Sequence, residues 1–247
     1  MSELERIEAL EREIRELKGL NHDNIPTYSF SQIKSETLRD LIDINLEFNR
    51  EIFGTWFDNN IKVSQETESF LLNLIDTNKF LIKNYNEEDL KIKFISKLLN
   101  YVDFQSYKNN FREFYELVIN YKTDKFIFKG STDFVVSKGL LYSQKPYFFI
   151  QEFKKGIKGS DPEPQLLAEL IAGVELNNEK DMRGAYIVGA IWNFVILEKL
   201  GKDKYQYFVS QNFDSTKIDD LKDIYKNLVF VKEDIINKIT IENNLKQ

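Results

Sequence analysis

The spacing of apolar and polar positions changes along the chain, and the changes divide it into elements. Ser2 to Lys18 sets Ile7, Leu10, Ile14 and Leu17 in an a/d pattern on a charged helix. Isoleucine at a and leucine at d favour a two-stranded parallel coiled coil, hence a homodimer through this helix. So short a pattern fits an amphipathic helix packed on its own domain equally well. Asn21 to Pro26 ends it. From about Ser31 to Lys83 the pattern again predicts helices, one carrying Leu38, Leu41, Ile42, Phe48 and Ile52, a second carrying Phe70, Leu71, Leu74 and Ile75. Gly54 and Asp58-Asn59-Asn60 are expected between them. Asn86 caps a further helix whose first turn is acidic, and Leu90, Ile92, Phe94, Ile95, Leu98 and Leu99 make it apolar on more than one side.

From Phe111 the period falls to two. Tyr115, Leu117, Ile119 and Tyr121 alternate with Glu116 and Asn120, which predicts a strand. Phe126 to Phe128 and Thr132 to Val136 predict a second, bent at Gly130, and Tyr147 to Phe153 a third. Short turns between them predict an antiparallel meander, and the third strand, apolar on both faces, belongs in its centre. Asp161-Pro162-Glu163 starts a helix with Asp161 as N-cap and Pro162 at the first position. Leu166, Leu167, Leu170 and Val174 form its buried stripe, while Gln165 and Glu169, four apart, share another face. Ala185 to Leu197 and Tyr205 to Val209 are predicted as two more strands, and Ile218 to Ile239 as one or two closing amphipathic helices.

Composition narrows the chemistry. The 247 residues contain no cysteine, which excludes disulfides, zinc-thiolate sites and cysteine nucleophiles. The single histidine, His22, lies in a polar connector, so chemistries built on paired histidines or a Ser-His-Asp triad are not expected. Any hydrolysis must run on carboxylates, lysine and a hard metal ion. A net charge of -6 means that a nucleic-acid site would have to be a local basic patch. No basic, apolar leader opens the sequence, and the longest nearly apolar run, Tyr186 to Leu197, falls short of the about 18 residues of a spanning helix. A soluble, cytoplasmic protein without membrane contact is expected.

One strand end carries candidate chemistry. Glu152 and Lys154 close the third strand and, two apart, point to the same face, away from Gln151 and Phe153. The same acid-x-lysine spacing at Glu16-Leu17-Lys18, Asp89-Leu90-Lys91 and Asp220-Leu221-Lys222 falls in helix-like sequence. Only the copy at Glu152 ends a strand, and only it has a second carboxylate, Asp133, on the preceding strand. An exposed ion pair and a turn residue would explain each of these singly. Together, an acid and an amine at the end of a buried strand would be costly without a purpose.

Helix, three-stranded meander, helix, strand, with Asp133 on the second strand and Glu152-x-Lys154 on the third, resembles the PD-(D/E)xK phosphodiesterase superfamily, the restriction-endonuclease-like fold. Lys129 to Asp133, Tyr147 to Lys155 and Asp161 to Glu169 look like an uncharacterised bacterial group within it. Thr132 stands where the motif's name has proline, and the resemblance runs from roughly Asn86 to Ser210.

It implies an α/β (α+β) core, a mixed central sheet with an antiparallel three-stranded meander flanked by helices, plus an N-terminal helical extension. The expected division is 1–20 amphipathic helix, 30–84 helical extension, 85–212 nuclease-like core and 213–247 closing helices. It also implies a metal-dependent nuclease acting on DNA in preference to RNA. Asp133 and Glu152 would ligate Mg²⁺ or Mn²⁺, and Lys154 would orient the attacking water. Glu88, or its neighbour Glu87, would supply the helix acid as a further ligand, although helix capping accounts for both. Gln165 would touch substrate or the lysine, and Lys155 and Lys158 would contact backbone phosphates. Tyr142 and Tyr147 are open to base stacking or to core packing. The alternatives are an inactive nuclease-fold binding or regulatory module and an oligomerisation protein using the N-terminal helix.

Overall fold

A computed structural model describes residues 25–154 and 161–245. The N-terminal helix with its dimer, His22, Lys155 and Lys158 lie outside the described residues. The fold is mixed α/β: one nine-stranded mixed sheet with helices on both faces. No helix among the described residues is long and apolar enough to cross a membrane.

The meander is present. Strands β3 (Phe111–Lys122), β4 (Ile127–Lys138) and β5 (Gln144–Lys154) pair antiparallel in sequence order. Helix α6 (Pro162–Asn177) then crosses over to β6 (Asp181–Val188), which runs parallel to β5. Asp161 caps α6 as its sequence predicts, its Oδ1 accepting the Glu163 N–H at 3.0 Å. β7 (Ile191–Gly201) and β8 (Lys204–Val209) continue antiparallel, and the two-residue β9 (Phe213–Asp214) pairs with β7.

The run Ala185 to Leu197 is therefore a hairpin rather than a single strand. Its two-residue turn, Gly189-Ala190, uses the left-handed φ of +61° that glycine tolerates. The C-terminus forms one helix, α7 (Ile218–Leu245).

The segment from 30 to 84 departs most from expectation. In place of a long first helix stand β1 (Thr27–Ser29), the short α1 (Ser35–Leu41), β2 (Asp43–Leu46), a 3₁₀ turn and the short α2 (Gly54–Phe57). Only α3 (Gln65–Asn78), capped by Ser64, forms as the pattern predicts. Ile42 and Ile44 are buried while Asp43 and Asn45 are exposed, a period-two stretch that breaks the helical stripe expected through Ile42 and Phe48, and Phe48 is exposed. β1 joins β4 and β2 joins β8, both in parallel, so this segment supplies sheet as well as helix.

Two apolar layers sandwich the sheet. One packs α2, α3, the helical run from Glu87 to Val102 and α7 against Phe134, Val136, Phe149, Phe153, Trp192 and Phe194. Trp56 is buried there, its Nε1–H donating to the Asn227 carbonyl at 2.9 Å. The other layer packs α6 and α1 against Val135, Ile150, Val195 and Leu197. Gly130 is not a bend but a close approach: a Cβ there would sit 2.9 Å from Phe30 Cδ2.

Candidate functional site

The site forms where β4 and β5 part. The two strands pair from Phe134 opposite Gln151 to Lys138 opposite Gln144, with shifts of register on either side of Ser137, and beyond Gln151 β5 leaves β4 while staying paired with β6 through Lys154. β1 pairs with β4 only at residues 127–129, so among the described residues β4 positions 130–133 have no ladder partner on that edge. Asp133 fills part of the gap. Its Oδ2 accepts the Phe153 N–H at 2.8 Å, in place of a ladder carbonyl.

The alternation of side chains changes phase at this place. Phe114 and Leu117, three apart on β3, face the same layer, as do Phe128 and Val135 on β4. At the change in β3, Glu116 has a left-handed φ of +50°, between the pairs Tyr115–Phe134 and Leu117–Thr132 and hence across from Asp133. Such a conformation costs about 1–3 kcal/mol in a non-glycine residue, and it is spent here on aiming a carboxylate toward the site.

Glu152 is 1% exposed, on the α6 side of the sheet. Its Oε1 lies 2.6 Å from Lys154 Nζ as an ion pair outside hydrogen-bond angles, and neither of its oxygens has a hydrogen-bond partner. Burial, followed by the neighbouring charge of Asp133, pushes its carboxyl up to about 8. Lys154 is held above its ordinary value although burial pulls it down, because Glu152 and Glu87 outweigh that cost.

The helical run opposite brings its first turn to the site. It consists of α4 (Glu87–Leu90), a π-helical segment (Lys91–Ile95) and α5 (Ser96–Val102). Asn86 caps it as its sequence predicts, its Oδ1 accepting the Asp89 N–H at 2.7 Å. Of the two helix acids, Glu87 faces the pair, 3.9 Å from Lys154 Nζ, and burial raises its carboxyl. Glu88 points outward with its side chain 72% exposed, 4.0 Å from Lys91.

Three site residues were not among those expected. Lys91 Nζ lies 3.0 Å from Asp133 Oδ1 and 2.9 Å from Glu116 Oε1, with the Phe153 ring below it. Glu169 on α6 is fully buried, takes a hydrogen bond from Gln165 Nε2 at 3.1 Å on Oε1, and leaves Oε2 without a partner. Burial and then the charge of Glu152 raise its carboxyl well above the usual range. The sequence signal for Glu169 is its place four residues after Gln165 on the same helix face. Lys91 had none, because its contact to Asp133 crosses between elements far apart in the chain. Tyr142 and Tyr147 lie toward the far end of the β4–β5 ladder, away from the site.

The donor set suits a hard divalent cation. Mg²⁺ binds through one or two carboxylates and keeps several waters, and Asp133 and Glu152 supply two, with Glu152 Oε2 free of partners and Oε1 held by the Lys154 ion pair alone. Among the described residues no three carboxylates converge as a ready-made metal site. The two carboxylates are neutralised instead by Lys91 and Lys154. Neither protein-family models nor curated proteins match the chain.

Proposed function

We propose that the chain is a metal-dependent phosphodiesterase that cuts the nucleic-acid backbone, with DNA ahead of RNA on the strength of the family resemblance. The observation that carries this reading is the meeting of Asp133 and the unsatisfied Glu152 at the parted end of β4 and β5, with Lys154 on Glu152. A buried carboxylate without hydrogen bonds is expensive, and a role in holding a ligand accounts for it.

Asp133 and Glu152 would hold the cation, which supplies Lewis-acid polarisation of the phosphoryl oxygen and a more acidic water. Asp133 is already oriented by the Phe153 N–H. Lys154 Nζ, placed by Glu152 and Glu87, orients the water and offers positive charge to the oxygens that become more negative in the transition state. Gln165, tied to Glu169 by its Nε2–H, would touch substrate or Lys154.

One observation favours a second reading, a nuclease fold that binds without turnover: Lys91 sits at Asp133 Oδ1, where a ligated cation would compete with it. A cleavage assay separates the two. Wild-type protein and Lys154→Ala are incubated with single- and double-stranded DNA and RNA, in Mg²⁺, in Mn²⁺ and in EDTA. Metal-dependent cleavage by the wild type alone is expected. Folded wild-type protein that cuts nothing, or equal cutting by both proteins, would contradict the proposal.

A further inference from the structure

Among the described residues, Lys91 is the one cation of the site whose role the phosphodiesterase reading leaves open. Its side chain is 12% exposed, and it is shared between Asp133 and Glu116, with Glu88 at 4.0 Å. The three carboxylates differ in kind. The Asp133 side chain is 11% exposed and fixed by the Phe153 N–H, whereas those of Glu116 and Glu88 are 61% and 72% exposed. The backbone of Glu116 is left-handed in mid-strand, and this aims its carboxylate at the ammonium. The π-helical turn that starts at Lys91 sets it off the regular spacing of α4, a distortion frequent at functional sites.

We infer that Lys91 is the resident counter-ion of the site. Its ammonium neutralises Asp133 until a divalent cation takes that place, and Glu116 and Glu88 then receive it. The inference rests on the reading of Asp133 as a metal ligand. It makes Lys91 a positioning residue that sets how tightly the cation binds, with no contact to the reacting atoms required. Removal of the ammonium would leave the Asp133 charge uncompensated and draw a divalent cation in more strongly. A purely structural lysine would act in the opposite sense, since its loss would release Asp133 and weaken the cation.

The test is Mn²⁺ binding, with no substrate present, by calorimetry or by the electron-spin-resonance signal of free Mn²⁺. Wild type, Lys91→Met, Lys91→Arg and Glu116→Gln are compared, each checked for a cooperative unfolding transition. Lys91→Met is expected to bind Mn²⁺ about tenfold more tightly, as for one unit charge removed a few ångströms away in partly screened surroundings. Lys91→Arg should stay near wild type. Glu116→Gln takes away the alternative partner while leaving Lys91 on Asp133, so it should bind more weakly, and it keeps the inference testable if Lys91→Met does not fold. Wild-type binding with no gain in Lys91→Met, or with no loss in Glu116→Gln, would overturn the inference and leave the phosphodiesterase reading standing. No Mn²⁺ binding by any of the four proteins would overturn both.

Discussion

Helix α6 offers the sheet three glutamates, and the outer two are treated differently from the middle one. Glu163 accepts the hydroxyls of Tyr207 at 2.8 Å and Tyr186 at 3.2 Å, one on each oxygen. Glu175 accepts the Tyr205 hydroxyl and the Lys199 ammonium, again one on each. Glu169 has Gln165 on one oxygen and nothing on the other, and it looks toward Glu152, which has no hydrogen bond at all. The outer pair, both half-buried, clamp a helix to a sheet with a partner on each oxygen. The inner pair add cost without such return. Identity of residue type thus says little about role, whereas the state of each oxygen separates clamp from site.

Variants can break this comparison, and the largest effect is expected on activity. Asp133→Asn keeps an oxygen that accepts the Phe153 N–H but loses the charge. Metal-dependent cleavage should fall by about 10²–10³-fold with little change in the unfolding midpoint. Asp133→Ala should lose activity as well and cost about 1–3 kcal/mol, because the Phe153 N–H is left without an acceptor. Equal stability of the two variants in denaturant titrations would remove that hydrogen bond from the account.

A smaller effect, of opposite character, belongs to the clamps. Glu175→Ala strands the buried Tyr205 hydroxyl and should cost about 1–3 kcal/mol without touching the metal dependence of cleavage. Glu169→Gln keeps the shape of a side chain whose charged form burial disfavours, so a change within about 1 kcal/mol is expected. Equal losses for both variants would erase the distinction.

The pH dependence sharpens the same contrast. Glu152 titrates at about 8 in the folded chain, against about 4.3 unfolded. The folded state therefore holds this proton more tightly. The resulting stabilisation is fully present below the unfolded value, declines as pH rises, and is gone above the folded value. Without divalent cations, the unfolding midpoint should drop between about pH 5 and pH 8, and Glu152→Gln should flatten that slope. Parallel slopes for the two proteins would contradict the assignment. The smallest effect is expected at Gly130→Ala, where the new methyl meets Phe30 and loosens β1 from β4, at about 1 kcal/mol or somewhat more by thermal unfolding.

What the sequence made legible follows the range of the interactions. Asn86 and Asp161 as caps, the α6 stripe and the three-stranded meander depend on neighbours a few residues apart or on strands joined by short turns. The helical pattern over 31–83 conceals β2 because that strand is four residues long and pairs with β8, far along the chain. The Gly189 turn was hidden in an apolar run, since hydrophobic periodicity is blind to a two-residue reversal between buried strands. Asp133, Glu152 and Lys154 could be singled out because a strand end and its period placed them on one side. Lys91, Glu116 and Glu169 could not. Lys91 reaches the site across elements, Glu116 through one left-handed residue, and Glu169 through a burial that its charge argues against.

The most direct test of the contrast between clamp and site is the rate of Mg²⁺-dependent cleavage by two isosteric variants, Glu152→Gln and Glu175→Gln, on the nucleic acid that the wild type cuts fastest. The account predicts a loss of about 10²-fold or more for Glu152→Gln and a rate within a few fold of wild type for Glu175→Gln. Similar rates for the two variants, or no cleavage by folded wild-type protein on any nucleic acid, would contradict it.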